Sequence, residues 1–152
     1  MEIVRIEQIE YQQTWQLRHE VMYPDLPFDQ IKLANDADGT HFGLIADGQL
    51  TSVVSLFNIA DSYQFRKFAT STRLQGAGYG SALLKYLITY IQERAAAQLW
   101  CNARVSASGF YERFGFVKSG PVYIENNIEF VRMELNSQNP AKIFYFEKIK
   151  IN

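Results

Sequence analysis

The stretch that most constrains this chain is a glycine-rich loop placed directly before a helix. Glycine occupies positions 76, 78 and 80, so the loop backbone carries almost no side chains. The apolar residues that follow recur at helical spacing: Leu83, Leu84, Leu87, Ile88 and Ile91. The first turn of a helix has unpaired N–H groups and the positive end of the helix dipole. The pattern therefore predicts a phosphate or pyrophosphate site, with a plain tight turn as the alternative.

Two familiar nucleotide-binding loops do not fit this stretch. A dinucleotide-binding loop requires glycine where Ser81 stands, and a P-loop requires a lysine that does not appear before Lys85. The stretch fits the pattern Gln/Arg-x-x-Gly-x-Gly/Ala instead, with Gln75, Gly78 and Gly80 in the specified places.

The rest of the chain reads as alternating strands and helices around this loop. Apolar spacing predicts a helix over residues 11–22, which Pro24 and Pro27 end, and an irregular loop over residues 24–40. Asp47-Gly48 joins two strand-like runs and predicts a hairpin. Further elements are predicted as strands over 2–7, 63–70, 99–104 and 128–135, a strand beginning at 116, and a short helix over 106–114. The strands that flank the glycine loop and its helix are expected to lie parallel.

Composition limits the classes of function. The 152 residues predict one domain with a single core, and the formal net charge of −1 gives no reason to expect nucleic acid or a membrane surface as a partner. The N-terminus lacks the apolar segment of a signal peptide, which predicts a cytoplasmic protein. Cys101 alone cannot form an internal disulfide, and with only His19 and His41 beside it no metal site is expected. Cys101 is predicted to be a buried strand residue.

A second motif identifies a family resemblance. Residues 110–116 match a Tyr-x-x-x-Gly-Phe segment, with Tyr111, Gly115 and Phe116 in the specified places. With the glycine loop and the order of elements over residues 2–135, the chain resembles the GNAT superfamily of N-acetyltransferases. The resemblance implies an α/β (α+β) fold with one mixed, mostly antiparallel sheet of six to seven strands. In that fold a parallel central pair of strands splays apart, and helices flank the sheet.

The same resemblance predicts the domain boundaries. Residues 1–136 are expected to form the acetyltransferase domain, and residues 137–152 a strand-like C-terminal extension. Its apolar residues would pack on the protein's own sheet edge or on a neighbouring subunit of a homodimer.

The resemblance also implies a binding site for acetyl-CoA as cosubstrate. The acyl-pantetheine arm would lie between the splayed strands and the pyrophosphate on the glycine loop. The residues implied are Phe68, Thr70, Gln75, Gly76, Gly78, Gly80, Ser81 and Asn102. Tyr111 takes the position of the tyrosine that protonates the leaving thiolate, and a phenol with a pKa near ~10 is protonated at neutral pH.

The resemblance implies acetyl transfer to the primary amine of a small molecule by direct attack. The general base is open among Glu20, His41, Asp36 and Asp38. The aspartates of residues 24–40 could face a cationic amine or serve as turn and cap residues. A catalytically idle acyl-CoA-binding module is the alternative function.

Overall fold

Seven strands form one mixed sheet in the order β1-β2-β3-β4-β5-β7-β6 in a computed structural model, which describes residues 2–136. The strands are β1 (Val4–Ile9), β2 (Thr40–Ala46), β3 (Gln49–Ile59), β4 (Ser62–Thr70), β5 (Gln98–Arg104), β6 (Val117–Glu125) and β7 (Ile128–Asn136). Only β4 and β5 pair in parallel, and every other neighbouring pair is antiparallel. The predicted sheet is therefore confirmed, with a strand count of seven.

The hairpin predicted at Asp47-Gly48 joins β2 to β3. Asp47 has φ 49° and Gly48 has φ 82°, both in the left-handed region. Two successive left-handed residues form the tight turn whose twist matches that of paired antiparallel strands. The turn sets the register of Ala46 with Gln49, and a bulge at Thr51 then shifts the pairing by one residue, so that His41 lies opposite Ser55.

Three helical stretches flank the sheet. The predicted helix over residues 11–22 is present but changes its winding along its length. A 3-10 turn (Tyr11–Thr14) leads into α1 (Trp15–Leu17) and then into a π turn (Arg18–Met22). The other two helices are α2 (Tyr79–Glu93) and α3 (Ser108–Glu112), and residues 24–40 form an irregular loop with 3-10 turns at Phe28–Ile31 and Asp36–Asp38.

The core lies mainly between the sheet and α2. All five apolar residues used to predict this helix are buried, together with Phe42, Leu44 and Leu56 of the sheet. A smaller cluster on the other face of the sheet contains Leu17 and Val53. The N-terminal helical stretch and α2 therefore cover opposite faces of the sheet.

The parallel pair in the middle of the sheet separates soon after it begins. β4 and β5 pair only at Ser62 with Gln98, Tyr63 with Leu99 and Gln64 with Trp100. The remaining lengths of both strands, toward their C-terminal ends, form no pairs with each other. The sheet therefore contains a wedge-shaped opening at the end where the glycine loop begins.

A bulge in β4 lies beside this opening. Arg66 pairs with Ser55 and Ala69 with Val53, so two residues of β4 oppose a single residue of β3. Within the bulge, Lys67 has φ 55°, in the left-handed region. In a regular strand Phe65 and Ala69 would lie on the same face of the sheet, but the extra residue in the bulge changes this alternation. Phe65 packs into the core with α2, whereas Ala69 packs into the cluster on the opposite face.

The predicted extension over residues 137–152 lies outside the described residues. Among residues 2–136, none of the helices is both long enough and apolar enough to cross a bilayer.

Candidate active site

The glycine loop joins the end of β4 to the start of α2. Gly76 and Gly78 have φ values of 85° and 90°, and a Cβ built on either residue would meet no atom within 4 Å. The side chain of Gln75 holds the start of the loop by donating from Nε2 to the Thr70 carbonyl at 3.1 Å. The loop therefore presents bare backbone to open space while its start is fixed to the sheet.

The first turn of α2 supplies hydrogen-bond donors at this loop. Gly78 is the N-cap and gives the helix no side-chain cap. The first main-chain bond of the helix runs from the Ala82 N–H to the Gly78 carbonyl at 3.0 Å. The amides of Tyr79, Gly80 and Ser81 precede that bond and so have no acceptor within the helix. Free amides at the positive end of a 15-residue helix suit a phosphate group.

A cavity of about 580 Å³ lies over the loop, and it brings together seven of the eight predicted cosubstrate residues. They are Phe68, Thr70, Gln75, Gly76, Gly78, Gly80 and Ser81. A Cβ on Gly80 would lie 3.5 Å from Thr70 Oγ1, so α2 begins in close contact with the end of β4. Arg113 also lines this cavity and was not predicted from the sequence. Its guanidinium group supplies a positive charge, whereas Gln75 at the start of the loop is uncharged. The residues present therefore fit a pyrophosphate-bearing ligand.

We expect the Gly78→Ala variant to lose affinity for acetyl-CoA by about 10-fold, because the added methyl group stands where the ligand would approach the backbone donors. The left-handed backbone adds a stability cost of about 1 kcal/mol. Isothermal titration with acetyl-CoA and thermal unfolding measure the two effects separately.

Gly48→Ala is the matched control, since Gly48 has a similar φ of 82° and open surroundings in the β2–β3 turn. It should show the same stability cost and an unchanged affinity. Equal affinities in the two variants would contradict the assignment of the glycine loop to the ligand.

Tyr111 lies on α3 and lines both the loop cavity and a second cavity in the wedge between β4 and β5. Its ring is held by aromatic neighbours at centroid distances of 5.8 Å to Phe65, 5.2 Å to Phe110 and 5.7 Å to Phe116. Burial, with a smaller contribution from Cys101, raises the pKa of the Tyr111 phenol well above its ordinary value. The hydroxyl is therefore a fixed donor that stays protonated far into the alkaline range.

The second cavity has a volume of about 210 Å³ and adjoins a third of about 200 Å³. The second shares Phe68, Ala107 and Tyr111 with the loop cavity. Asn102, the eighth predicted cosubstrate residue, is exposed and lines the second and third cavities. The three cavities therefore adjoin one another through shared lining residues, and together they are called the channel below. Below, the wedge cavity means the second cavity and the far cavity means the third.

Cys101 also lines the wedge cavity, but its environment makes it inert. It is 3% exposed, and burial raises the pKa of its thiol to about 12. Such a thiol is protonated at neutral pH and is a poor nucleophile. The prediction of a buried strand cysteine is confirmed.

Several residues of the wedge and far cavities were missed by sequence reasoning. Arg66 and Lys67 line both cavities, and Glu125 lines the far cavity. Lys67 donates a hydrogen bond to the Tyr23 hydroxyl, and its Nζ lies 4.7 Å from the centre of the Tyr23 ring. A left-handed backbone is usually signalled in the sequence by glycine or asparagine, and position 67 has neither. The bulge that orients the Lys67 side chain was therefore not predictable.

His41 lies apart from the channel, in a buried network on the face of the sheet that the N-terminal helix covers. Its Nδ1 lies 2.8 Å from Ser55 Oγ and its Nε2 lies 2.7 Å from the Asp36 carbonyl oxygen. Burial lowers the pKa of the imidazole, which is 3% exposed. With both ring nitrogens occupied by the protein, the structure gives His41 a packing role and does not support its use as the base.

Asp36 belongs to the same network and does not face the channel. Its carboxylate forms a two-pronged ion pair with the buried Arg18, at 2.9 and 3.1 Å, and accepts a further bond from Trp15 Nε1 at 3.0 Å. Burial acts to raise the pKa of this carboxyl, but the hydrogen bonds from Arg18, the Leu33 amide and Trp15 outweigh it, and the pKa is lowered. The Asp36 carboxylate is therefore structural.

Neither Glu20 nor Asp38 lines the loop, wedge or far cavities. Glu20 is exposed, accepts a hydrogen bond from Gln16 at 3.0 Å and borders a separate depression near Arg73. Asp29, another acid of the predicted loop, forms an exposed salt bridge with Lys32 at 2.9 Å. The cationic-substrate interpretation of this loop therefore has no support from the structure. No metal-binding group of three His, Cys, Asp or Glu side chains occurs among residues 2–136.

Comparisons with known proteins agree with this geometry. Residues 6–137 match the model of a family described as the acetyltransferase (GNAT) domain. The chain is 29% identical over 127 residues to YitI of Bacillus subtilis (strain 168), an uncharacterized N-acetyltransferase, covering 78% of this chain and 85% of YitI.

Solved structures share the fold. A putative N-acetyltransferase from Lactobacillus plantarum superposes with a TM-score of 0.80 at 19% identity, covering 88% of this chain and 98% of that one. A GNAT family acetyltransferase from Elizabethkingia anophelis, solved with acetyl-CoA bound, gives a TM-score of 0.67 at 16% identity, covering 88% and 97%.

The family model spans nearly all of the described residues, and the glycine loop, the splayed strands and Tyr111 line two adjoining cavities. The chain belongs to the GNAT family and is an acetyl-CoA-dependent N-acetyltransferase.

Proposed function

We propose that the protein transfers the acetyl group of acetyl-CoA to the primary amine of a small molecule by direct attack. The observation that carries the proposal is that Tyr111 lines both the loop cavity and the wedge cavity, and that the wedge cavity in turn shares lining residues with the far cavity. The glycine loop marks the side for the cosubstrate. The far cavity, of about 200 Å³, remains for the acceptor, and its size suits a small molecule.

The cosubstrate side is assigned to the residues of the loop cavity. The amides of Gly80 and Ser81 at the start of α2 would hold the pyrophosphate, and Arg113 would add a positive charge. Phe68 and Thr70 would offer main-chain groups to the pantetheine arm, because β4 has no strand paired on that side beyond Gln64. Acetyl-CoA supplies an activated thioester carbonyl and a thiolate leaving group.

Tyr111 is assigned the role of general acid. As the amine nitrogen forms its bond to the carbonyl carbon, the carbon–sulfur bond breaks and the departing sulfur requires a proton. The raised pKa of Tyr111 keeps its hydroxyl protonated, three aromatic rings hold its side chain, and the residue lines both the loop and wedge cavities. It can therefore donate that proton, whereas Cys101 beside it is buried and inert.

Glu125 is assigned the role of general base, acting directly or through water. It is the one carboxylate of residues 2–136 that lines either the wedge or the far cavity. An attacking amine must lose its proton, and the carboxylate can accept it at the mouth of the far cavity.

We expect Glu125→Gln to lower kcat/KM for the acceptor by about 100-fold, since amide oxygen cannot accept a full proton. Affinity for acetyl-CoA should stay unchanged, because Glu125 lies on the acceptor side. Glu129→Gln is the control, since Glu129 is exposed on β7 and lines neither of these two cavities. Identical acceptor kinetics in the two variants would remove Glu125 from the mechanism.

The proposed function itself is tested by titrating the protein with acetyl-CoA and then following free-thiol release with a panel of primary amines. Binding followed by amine-dependent thiol release supports the proposal. Binding without release on any amine, whether small molecule or peptide N-terminus, would favour an idle binding module. Release with peptides alone would reject the small-molecule acceptor.

A further inference from the structure

We infer that the acceptor is an amine that also carries a carboxylate, in the manner of an amino acid, and that Lys67 and Arg66 bind this carboxylate. The inference rests on the proposed function and names the substrate class of the same site. It replaces the cationic amine suggested by the aspartates of residues 24–40, which lie elsewhere.

The charges that line the wedge and far cavities are mainly positive. Arg66, Lys67 and Arg104 line the wedge cavity, which has no acidic residue in its wall. The far cavity adds Glu125, which is exposed, while Arg66 and Lys67 are half-buried. Since charges are screened less as they leave water, the two half-buried cations dominate the local potential. A polyamine would meet repulsion here, and a carboxylate would meet attraction.

Neither Arg66 nor Lys67 has its charge neutralised by the protein. No carboxylate of residues 2–136 forms a salt bridge with either side chain. Lys67 donates one hydrogen bond to the Tyr23 hydroxyl, which leaves two of its three N–H groups for another acceptor. The Tyr23 ring, 4.7 Å from Nζ, holds the ammonium group in place.

The backbone of Lys67 supports a binding role for its side chain. A left-handed conformation is unfavourable for a residue with a Cβ, and such positions cluster at functional sites. Here it lies within the β4 bulge, which turns the side chain toward the wedge and far cavities.

The remaining walls suit the apolar part of a small amino acid derivative. The rings of Tyr123 and Phe130 stack at a centroid distance of 5.7 Å and an interplanar angle of 20°, and both line the far cavity. Nearby cations also lower the pKa of a bound amine, so they favour the neutral form that attacks. The step balances without another reactant: the C–N bond forms, the C–S bond breaks, one amine proton passes to Glu125 and the Tyr111 proton passes to sulfur.

The first test compares matched acceptors by thiol release from acetyl-CoA. Phenylalanine and leucine are paired with phenethylamine and isoamylamine, which lack only the carboxylate. We expect kcat/KM to favour the carboxylate-bearing partner by about 10-fold to 100-fold, the range of a charge-assisted hydrogen bond. Lys67→Met should abolish this preference mainly through KM, and Lys67→Arg should restore part of it. Lys118→Met, at an exposed site outside both cavities, should leave it intact.

A second test does not depend on turnover. Calorimetry of the CoA-bound protein should show tighter binding of N-acetylphenylalanine than of N-acetylphenethylamine, and Lys67→Met should remove the difference. Equal binding of the two products, or a carboxylate preference that survives in the Lys67→Met variant, overturns the inference. Selective binding without thiol release on any amine would uphold the anion site and reject the proposed activity. Thiol release with no preference for a carboxylate would uphold the proposed activity and reject the anion site.

Discussion

Replacing Tyr111 with phenylalanine should lower kcat by about 100-fold to 10,000-fold while the dissociation constant of acetyl-CoA stays within about 2-fold, because the change removes one positioned general acid. The phenyl ring keeps the contacts with Phe65, Phe110 and Phe116, so the fold should be unaffected. Steady-state thiol release and calorimetric titration on the same preparation measure both quantities.

Tyr90→Phe is the matched control. Tyr90 lies on α2 and packs against Phe42 at a centroid distance of 4.9 Å, away from the channel. Its variant should keep full turnover. The pH profile adds a second check: since the pKa of Tyr111 is raised, its hydroxyl stays protonated beyond pH 10.0, and native kcat should not decline on its account below that pH. An unchanged kcat in Tyr111→Phe would exclude the hydroxyl from proton transfer.

The largest expected effect on stability comes from Asp36→Ala. The change leaves Arg18, which is fully buried, without its partner, and its Nε already has no hydrogen bond. Loss of one member of a buried ion pair costs about 3 to 5 kcal/mol of unfolding free energy. For a chain of 152 residues this corresponds to a fall in Tm on the order of 10 °C. Thermal or urea unfolding at pH 7, where Asp36 is ionised, measures it.

Asp29→Ala provides the comparison within the same loop. Asp29 is 87% exposed and pairs only with Lys32, so its loss should leave the unfolding free energy almost unchanged, because water and salt screen an exposed ion pair. Replacing Arg18 and Asp36 together with Met and Leu should recover much of the stability, because no unpaired charge is then buried. Equal losses in Asp36→Ala and Asp29→Ala would contradict the account of the buried network.

The parts of the structure that depend on local chemistry were predictable from the sequence. Asp47-Gly48 specifies its turn because both residues tolerate a left-handed backbone, and the helical spacing from Leu83 to Ile91 defines the buried face of α2. The seven residues predicted around the glycine loop lie in one cavity because they are close in the chain, within residues 68–81.

The acceptor side could not be predicted in the same way, because it depends on contacts between distant segments. Asp36 looked like a residue of an acidic surface loop until its pairing with Arg18, 18 residues away, placed it in the interior. Glu125 reaches the far cavity only through the pairing of β6 with β7. The bulge at Lys67 depends on the register between β3 and β4, for which residues 62–70 alone contain no signal.

The short pairing between β4 and β5 gives the protein a pair of sheet edges in its own interior. Main-chain groups beyond Gln64 and Trp100 face a gap rather than a neighbouring strand. Exposed strand edges are the usual starting points for aggregation, and acetyl-CoA bound in the gap as proposed above would cover them. Ligand binding would therefore also protect the fold. The free energy of unfolding would rise with the logarithm of the ratio of ligand concentration to dissociation constant, once that ratio is well above one. Preparations without bound acetyl-CoA would be the most prone to aggregate during storage.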